Sequence, residues 1–301
     1  MKKLKAANYT STTTINLSNT PTLAELDLSD KRIKKRLERT RLNLADFQNK
    51  MYAHGKYGVL ICVQGMDTSG KDSLIREVFK ELNVRGIVVH SFKKPTTRER
   101  RYNYLWRHYL ALPERGKFSI FNRTHYENVL VSRVHPEIIL EENLPHINRI
   151  DDISESLWEN RFEEINNFEQ QIVQNGTLVF KFFLHISKGE QRKRLLRRLE
   201  KPNKNWKFSP DDLKERALWN QYQDCYEKAI NNTSTSYAPW YIIPSDCKKE
   251  SRLIFANILY QKLSAFKDIK EPVLANNNQS NLEDYKVQLI NEGNNQGGIN
   301  Y

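Results

Sequence analysis

Cysteine is scarce in this chain of 301 residues: Cys62, Cys225 and Cys247 are odd in number and lack metal-type spacing. They exclude a disulfide framework and a cysteine metal centre, and read as reduced thiols of a cytoplasmic protein. Long hydrophobic runs are missing as well, since no stretch approaches the roughly 20 apolar residues that span a bilayer. The opening "MKKLKAANYTSTTTINLSN" is basic but has no apolar segment behind it, so it is expected not to be a secretory signal. No Ser-His-Asp set is evident either. The remaining composition suits a soluble globular protein, with 39% hydrophobic and 28% charged residues. Acidic residues are outnumbered, 36 against 48 Lys and Arg, for a formal charge of +12. That excess favours a polyanionic partner: nucleic acid, an acidic membrane surface or a phosphate polymer.

Residues 1–29 are polar and Thr/Asn-rich and read as a flexible arm. A basic amphipathic helix follows, with Ile33, Leu37, Leu42, Leu44, Phe47 and Met51 at roughly helical spacing. Apolar strands then alternate with helices. "YGVLICVQ", "GIVVHSF", "KFSIFN", "TLVFKFFLHI" and "WYIIPSD" are expected as five strands. "KDSLIREVFKEL", "YNYLWRHYLAL", "HYENVLVSRVH", "SESLWENRFEEINNFEQQIVQNG" and "ESRLIFANILYQKLSAF" are expected as helices. Such alternation predicts a parallel five-stranded sheet covered on both faces, an α/β/α arrangement in three layers. Between the fourth and fifth strands, about residues 188–232 are Arg/Lys-rich and too long for a simple crossover. They predict a helical hairpin, or lid, over the mouth of the sheet. The domain is read as residues 30–271, followed by a disordered Asn/Gln-rich tail over 272–301.

The chemistry centres on "VLICVQGMDTSGKDS", a strand, a tight loop and a helix start. Gly65, Gly70 and Lys71 fit the phosphate-cradling pattern G-x-x-x-x-G-K-[ST], but Asp72 occupies the place of the metal-reaching hydroxyl. Gly65, Thr68, Ser69, Gly70, Asp72 and Ser73 are expected to line bound phosphates, with amides and a helix N-terminus supplying partial positive charge. Lys71 adds a full charge. Asp67 lies inside the loop and is the expected ligand of a divalent metal. Asn122 closes the third strand, where a carboxylate is common, and is a weaker candidate through its carbonyl. Asp72 is expected to cap or buttress the loop. Arg123, Arg133, Arg194 and Arg198 suit phosphate oxygens, the last two lying four apart on one helical face. Lys204, Lys207 and Arg216 follow in the lid. Lys93 and Lys94 stand at a strand's C-terminal end, where α/β folds bind ligands, though plain solvation explains them equally well. His135 reads as structural.

"QGMDTSGKDS", "HSFKKPT", "YLWRHYLALPERGKFSIFNRTHYENVLVSRVHPE" and "KNWKFSPDDLKERALWNQY" together resemble the polyphosphate kinase 2 family over about residues 30–265. An Asp after the loop lysine belongs to that family's own pattern. "FNRTHYE", in place of an Asp-Arg start, is similar to its class III branch. The resemblance implies a P-loop kinase fold related to thymidylate kinases, a helical lid and homo-oligomers. It implies reversible, Mg²⁺- or Mn²⁺-dependent transfer from inorganic polyphosphate to AMP and ADP, forming ADP and ATP, with guanine nucleotides as further substrates. By motif, Asp67 would bind metal and Lys71, Arg123 and Arg133 would hold phosphates. Arg194 and Arg198 would clamp the chain from a solvent-facing lid. Glu137 would lie near the acceptor. Nucleic acid and membrane are then not expected partners. Two rival readings are an ATP-dependent nucleotide kinase, which fits the loop and lid, and a non-enzymatic polyanion binder, which fits the charge alone.

Overall fold

The computed structural model describes residues 4–273 and 281–295. Five strands form one parallel sheet in the order β2-β3-β1-β4-β5: β1 Gly58–Gln64, β2 Ile87–Ser91, β3 Phe118–Asn122, β4 Thr177–His185 and β5 Trp240–Pro244. The alternation of strand side chains decides which helix covers which face. Val59, Ile61 and Val63, with Phe180, Phe182 and Leu184, pack under α1 (Asp30–His54), α2 (Lys71–Val78) and α10 (Lys248–Leu263). Leu60, Cys62, Val179 and Phe183 face the other way, toward α6 (Glu155–Gln174) and α9 (Trp219–Thr233). This is the expected α/β/α sandwich.

One β4 residue breaks the apolar run. Lys181 is fully buried, 2.6 Å from Glu169 and 2.6 Å from the Thr233 carbonyl. His125 and Tyr126 hydrogen-bond the same carboxylate at 3.1 and 2.7 Å. Burial lowers the proton affinity of Lys181 against the pull of Glu169. A buried charge of this kind persists only when its lone pairs and protons are matched.

Several expectations are corrected. The N-terminal segment is docked along the sheet edge. Thr10 bridges antiparallel to Tyr241, Ser11 donates its N–H to the Trp240 carbonyl, and Ile242 donates to Tyr9. Ala6, Leu17 and Leu26 are buried. Its apolar residues are too few and too irregular to show a period, yet these three are packed, while Leu23 stays 45% exposed. In α1, Leu42 is 58% exposed, whereas the other expected apolar positions are buried. Two expected helices are short and broken. "YNYLWRHYLAL" keeps only α3 (Trp106–Tyr109), and "HYENVLVSRVH" divides into a 3-10 turn His125–Val129 and α4 (Val131–Val134). A further turn of helix, α5, spans Glu137–Leu140.

The lid segment forms α7 (Lys188–Glu200), a 3-10 elbow Pro202–Lys207, α8 (Asp211–Ala217) and α9. Only α7, the elbow and α8 project as a lid. Helix α9 belongs to the core, where Trp219, Tyr222 and Tyr226 pack with Phe183, Trp240 and Ile242. In the tail, Leu282–Asn295 is helix α11, not coil, with Leu289 and Ile290 exposed. Residues 274–280 and 296–301 of the tail lie outside the described residues.

Candidate active site

The loop between β1 and α2 stands at the C-terminal edge of the central strand β1, between its neighbours β3 and β4. Gly65 has φ 153°, and a Cβ there would fall 2.8 Å from the Leu184 carbonyl and 2.9 Å from Ser69 Oγ, so only glycine fits. Gly70, at φ 109°, turns the chain into α2. Thr68 and Arg123 also hold positive φ, 63° and 60°. Strain of this kind in non-glycine residues persists where surrounding contacts fix it.

Lys71 folds its ammonium over the loop, donating to the carbonyls of Gly65 and Met66. Burial lowers its proton affinity, while Asp67 and Glu127 pull the other way. The Asp67 carboxylate lies 3.9 Å from the Arg123 guanidinium and remains 38% exposed. Asp72 accepts a 2.7 Å bond from Asn122 Nδ2, which fits a buttress linking loop to strand β3. That bond leaves Asn122 Oδ1 buried with no partner, and Thr68 Oγ1 and Ser69 Oγ are orphaned in the same way.

These orphaned oxygens bear on the metal. No cluster of three or more His, Cys, Asp or Glu side chains able to hold an ion occurs among the described residues. Mg²⁺ seldom needs one, because it keeps several waters and takes one or two carboxylates plus substrate phosphates. Asp67 with the spare carbonyl of Asn122 fits that requirement.

Beside the loop opens a cleft of about 580 Å³. Lys93, Arg123, Glu127, His135 and Glu137 line it. Lys94, also on its wall, is paired with Glu141 at 3.0 Å. His135 bridges two carboxylates, Glu137 at 3.3 Å and Glu215 of α8 at 3.0 Å, and so ties the lid to the cleft wall. Glu127 and Gln64 were missed from sequence. Gln64 Nε2 donates to Glu127 at 2.9 Å, and burial raises the Glu127 carboxyl against the attraction of Arg123 and Lys71. The signal was present in "THYEN", five residues after Asn122, but a lone Glu beside a helix start says nothing of its direction.

The lid arginines depart from expectation. Arg194 is only 8% exposed and does not face solvent. Its guanidinium donates to the carbonyls of Thr68 (3.0 Å), Ser69 (2.7 Å), Ser245 (2.6 Å) and Asp246 (3.1 Å). It braces the back of the loop, helped by Gln191, which donates to the Asp67 carbonyl at 3.1 Å. Arg198 pairs with Asp212 at 2.9 Å and holds the elbow between α7 and α8. Arg216 likewise bonds within the lid, to Gln191. Arg133 pairs with Glu155 over the Trp158 ring, and its guanidinium does not line the cleft. Lys204 and Lys207 stand on the elbow.

A glycine-rich loop with an inward lysine, at the C-terminal edge of a parallel sheet and under a helical lid, defines the class of α/β nucleotide-kinase-like phosphotransferases. The family model for polyphosphate kinase 2 matches residues 27–271, and the chain belongs to that family. The ADP-polyphosphate phosphotransferase of Rhodopseudomonas palustris is 42% identical over 254 residues, 84% of this chain and 87% of that protein. The AMP/ADP-polyphosphate phosphotransferase of Meiothermus ruber is 44% identical over 220 residues, 73% and 77% respectively. The crystal structure of polyphosphate kinase 2 from Arthrobacter aurescens TC1 superposes with a TM-score of 0.83 at 29% identity, covering 93% of this chain and 97% of that one.

Proposed function

We propose that this protein transfers phosphate reversibly between inorganic polyphosphate and adenine nucleotides, making ADP from AMP and ATP from ADP. The observation that carries the reading is the Lys71 loop set against Asp67, Arg123 and an open cleft large enough for a nucleotide. In the forward direction an oxygen of the acceptor's terminal phosphate attacks the last phosphorus of the donor. The bridging P–O bond of the donor breaks, and a chain one phosphate shorter leaves. Little covalent help is needed, so position and charge do most of the catalysis.

Lys71 and Arg123 bring positive charge to the transferring group. Asp67 and the Asn122 carbonyl would hold a divalent cation, Mg²⁺ or Mn²⁺, which when bound neutralises phosphate oxygens. Arg194 and Gln191 keep the loop amides in place. The cleft, with Lys93 and Glu137 among its lining residues, receives the acceptor. The finer assignment is the class III branch, acting on both AMP and ADP. "FNRTHYENVLVSRVHPE" supports it, and the names of the two relatives divide on this point.

The test is an assay of the purified protein with Mg²⁺ and AMP or ADP, offering either polyphosphate or ATP as donor. Turnover with polyphosphate is expected. Turnover with ATP and AMP but none with polyphosphate would make it an ordinary nucleotide kinase.

A further inference from the structure

A second cavity, of about 640 Å³, lies between the docked N-terminal segment, the end of β4 and helix α9. It shares no lining residue with the glycine-rich loop or with the cleft beside it. Neither Lys nor Arg is among the described residues that line it, although the chain carries 48 of them. Trp219, Gln223 and Glu227 are spaced four apart and line it from one face of α9. Leu17 and Thr20 of the N-terminal segment close it from the other side.

Two buried polar atoms belong to this wall. His185 ends β4 and is only 4% exposed. Its Nε2 stands 3.1 Å from the Leu17 carbonyl and 3.1 Å from the Thr20 carbonyl, so that nitrogen carries the proton and donates to both. Burial lowers the proton affinity of the ring against those two carbonyls. The imidazole is therefore neutral, and Nδ1 keeps a lone pair. Nδ1 is buried with no partner, and so is Gln223 Nε2. Buried polar atoms normally have partners, so these two define what the cavity accepts. His185 Nδ1 calls for a donor and Gln223 Nε2 for an acceptor. An ammonium serves only the first and a phosphate only the second. A hydroxyl serves both.

The charges of the wall agree. Its carboxylates are already engaged, Glu227 by the Leu17 N–H at 2.7 Å and Asp224 by Lys228 at 3.2 Å. With no cation on the wall, an anion finds no counter-charge there. We propose that this cavity is a binding site for a small uncharged polyhydroxyl ligand of sugar size, whose hydroxyls donate to His185 Nδ1 and accept from Gln223 Nε2. The site is separate from the cleft assigned to the nucleotide, and it does not rest on the polyphosphate reading.

The experiment titrates the full chain calorimetrically with glycerol, ribose, glucose and trehalose as probes, and with spermidine and inorganic phosphate as charged controls. Calorimetry is the readout because polyols stabilise proteins in general by exclusion from their surface, whether or not they bind. At least one polyol should bind, and ADP should not displace it. Gln223→Leu removes the donor and should weaken that binding about tenfold, the usual loss for one hydrogen bond. In the wild type, the ¹⁵N resonance of His185 Nδ1 should move upfield as a hydroxyl donates to it, a signal that needs no variant to fold. A protein that binds none of the four polyols overturns the proposal. So does polyol binding that ADP displaces, or that leaves both the Nδ1 resonance and the Gln223→Leu affinity unchanged. Spermidine or phosphate moving that resonance in place of a polyol overturns the assigned ligand class.

Discussion

At the scale of single residues, Lys71 and Asp67 are the side chains proposed to carry the chemistry, and their environments say how. The Lys71 ammonium donates to the loop carbonyls of Gly65 and Met66, which fix its charge over the loop. Lys71→Ala should lower kcat by about 10²–10³-fold or more, the usual loss when a donor aimed at transition-state charge is removed. Asp67→Asn should lower it comparably and raise the Mg²⁺ concentration needed for half-maximal rate. A steady-state titration of metal checks this, and near-normal turnover in Asp67→Asn would remove that residue from the metal site. Arg194 acts differently, through four carbonyls it alone can span. Lysine keeps the charge but not the planar fork. Arg194→Lys should therefore reduce kcat by about 10²-fold, as small misplacements of a reacting geometry do, with little change in the salt dependence of the polyphosphate KM. A salt-dependent KM effect with kcat preserved would instead mean that Arg194 touches the donor. The loop and its lysine were legible in sequence because glycine spacing between a strand and a helix is a local signal. Arg194 was placed on the right element but on the wrong side. Its spacing to Arg198 defines a helical face, not what that face meets.

At the scale of elements, the strands were read most faithfully, because continuous apolar runs between turn residues have few other uses in a chain of this composition. Short helices were overextended. In "HYENVLVSRVH" the backbone of Leu130, at φ −109° and ψ −78°, separates the 3-10 turn His125–Val129 from α4, a break that side-chain periodicity does not show. The N-terminal segment was the larger miss, since its contacts are long-range and mostly through backbone and polar groups. Leu17 N–H donates to Glu227 at 2.7 Å, Leu26 N–H to Glu250 at 2.7 Å, and His185 hydrogen-bonds the carbonyls of Leu17 and Thr20. Asp246 takes the Thr22 hydroxyl and caps Ser187 at the start of α7. The arm thus covers the β5 edge, which would otherwise present unpaired groups. Deleting residues 1–26 should destabilise the protein by at least about 3 kcal/mol, from the buried leucines alone. Urea denaturation measures the loss, and light scattering should reveal association through the uncovered edge. Melting unchanged from the full chain would show that the docked segment adds no net stability.

For the whole molecule, the surplus of +12 is not evenly useful. Many of the 48 Lys and Arg side chains are paired locally, as at Arg133 with Glu155, Arg161 with Glu142 and Arg198 with Asp212, and the surplus is what these pairs leave over. Unpaired positive charge remains around the loop and elbow, where a polyanion would be drawn at rates sensitive to salt. The acceptor side has a different character. Its cleft mixes Lys93, Arg100 and Arg123 with Glu127, Glu137 and Glu215, a balance that suits the proposed acceptor, with phosphate at one end and a neutral nucleoside at the other. A site that sets the terminal phosphate of either AMP or ADP against one donor chain must accept the nucleoside at two depths, one phosphate apart. A cleft of about 580 Å³ with an open mouth allows both. Given polyphosphate, Mg²⁺ and AMP, the protein should therefore make ADP first and ATP after it, with no second enzyme. The lag before ATP should shorten when ADP is supplied. The measurement is a chromatographic time course from AMP as sole acceptor, with an adenylate kinase inhibitor present to exclude disproportionation of ADP. ADP that accumulates without ATP, at excess polyphosphate, would refute the class III assignment. It would mean that the cleft fixes the nucleoside at one depth, with His135 and its two carboxylates as the first contacts to alter.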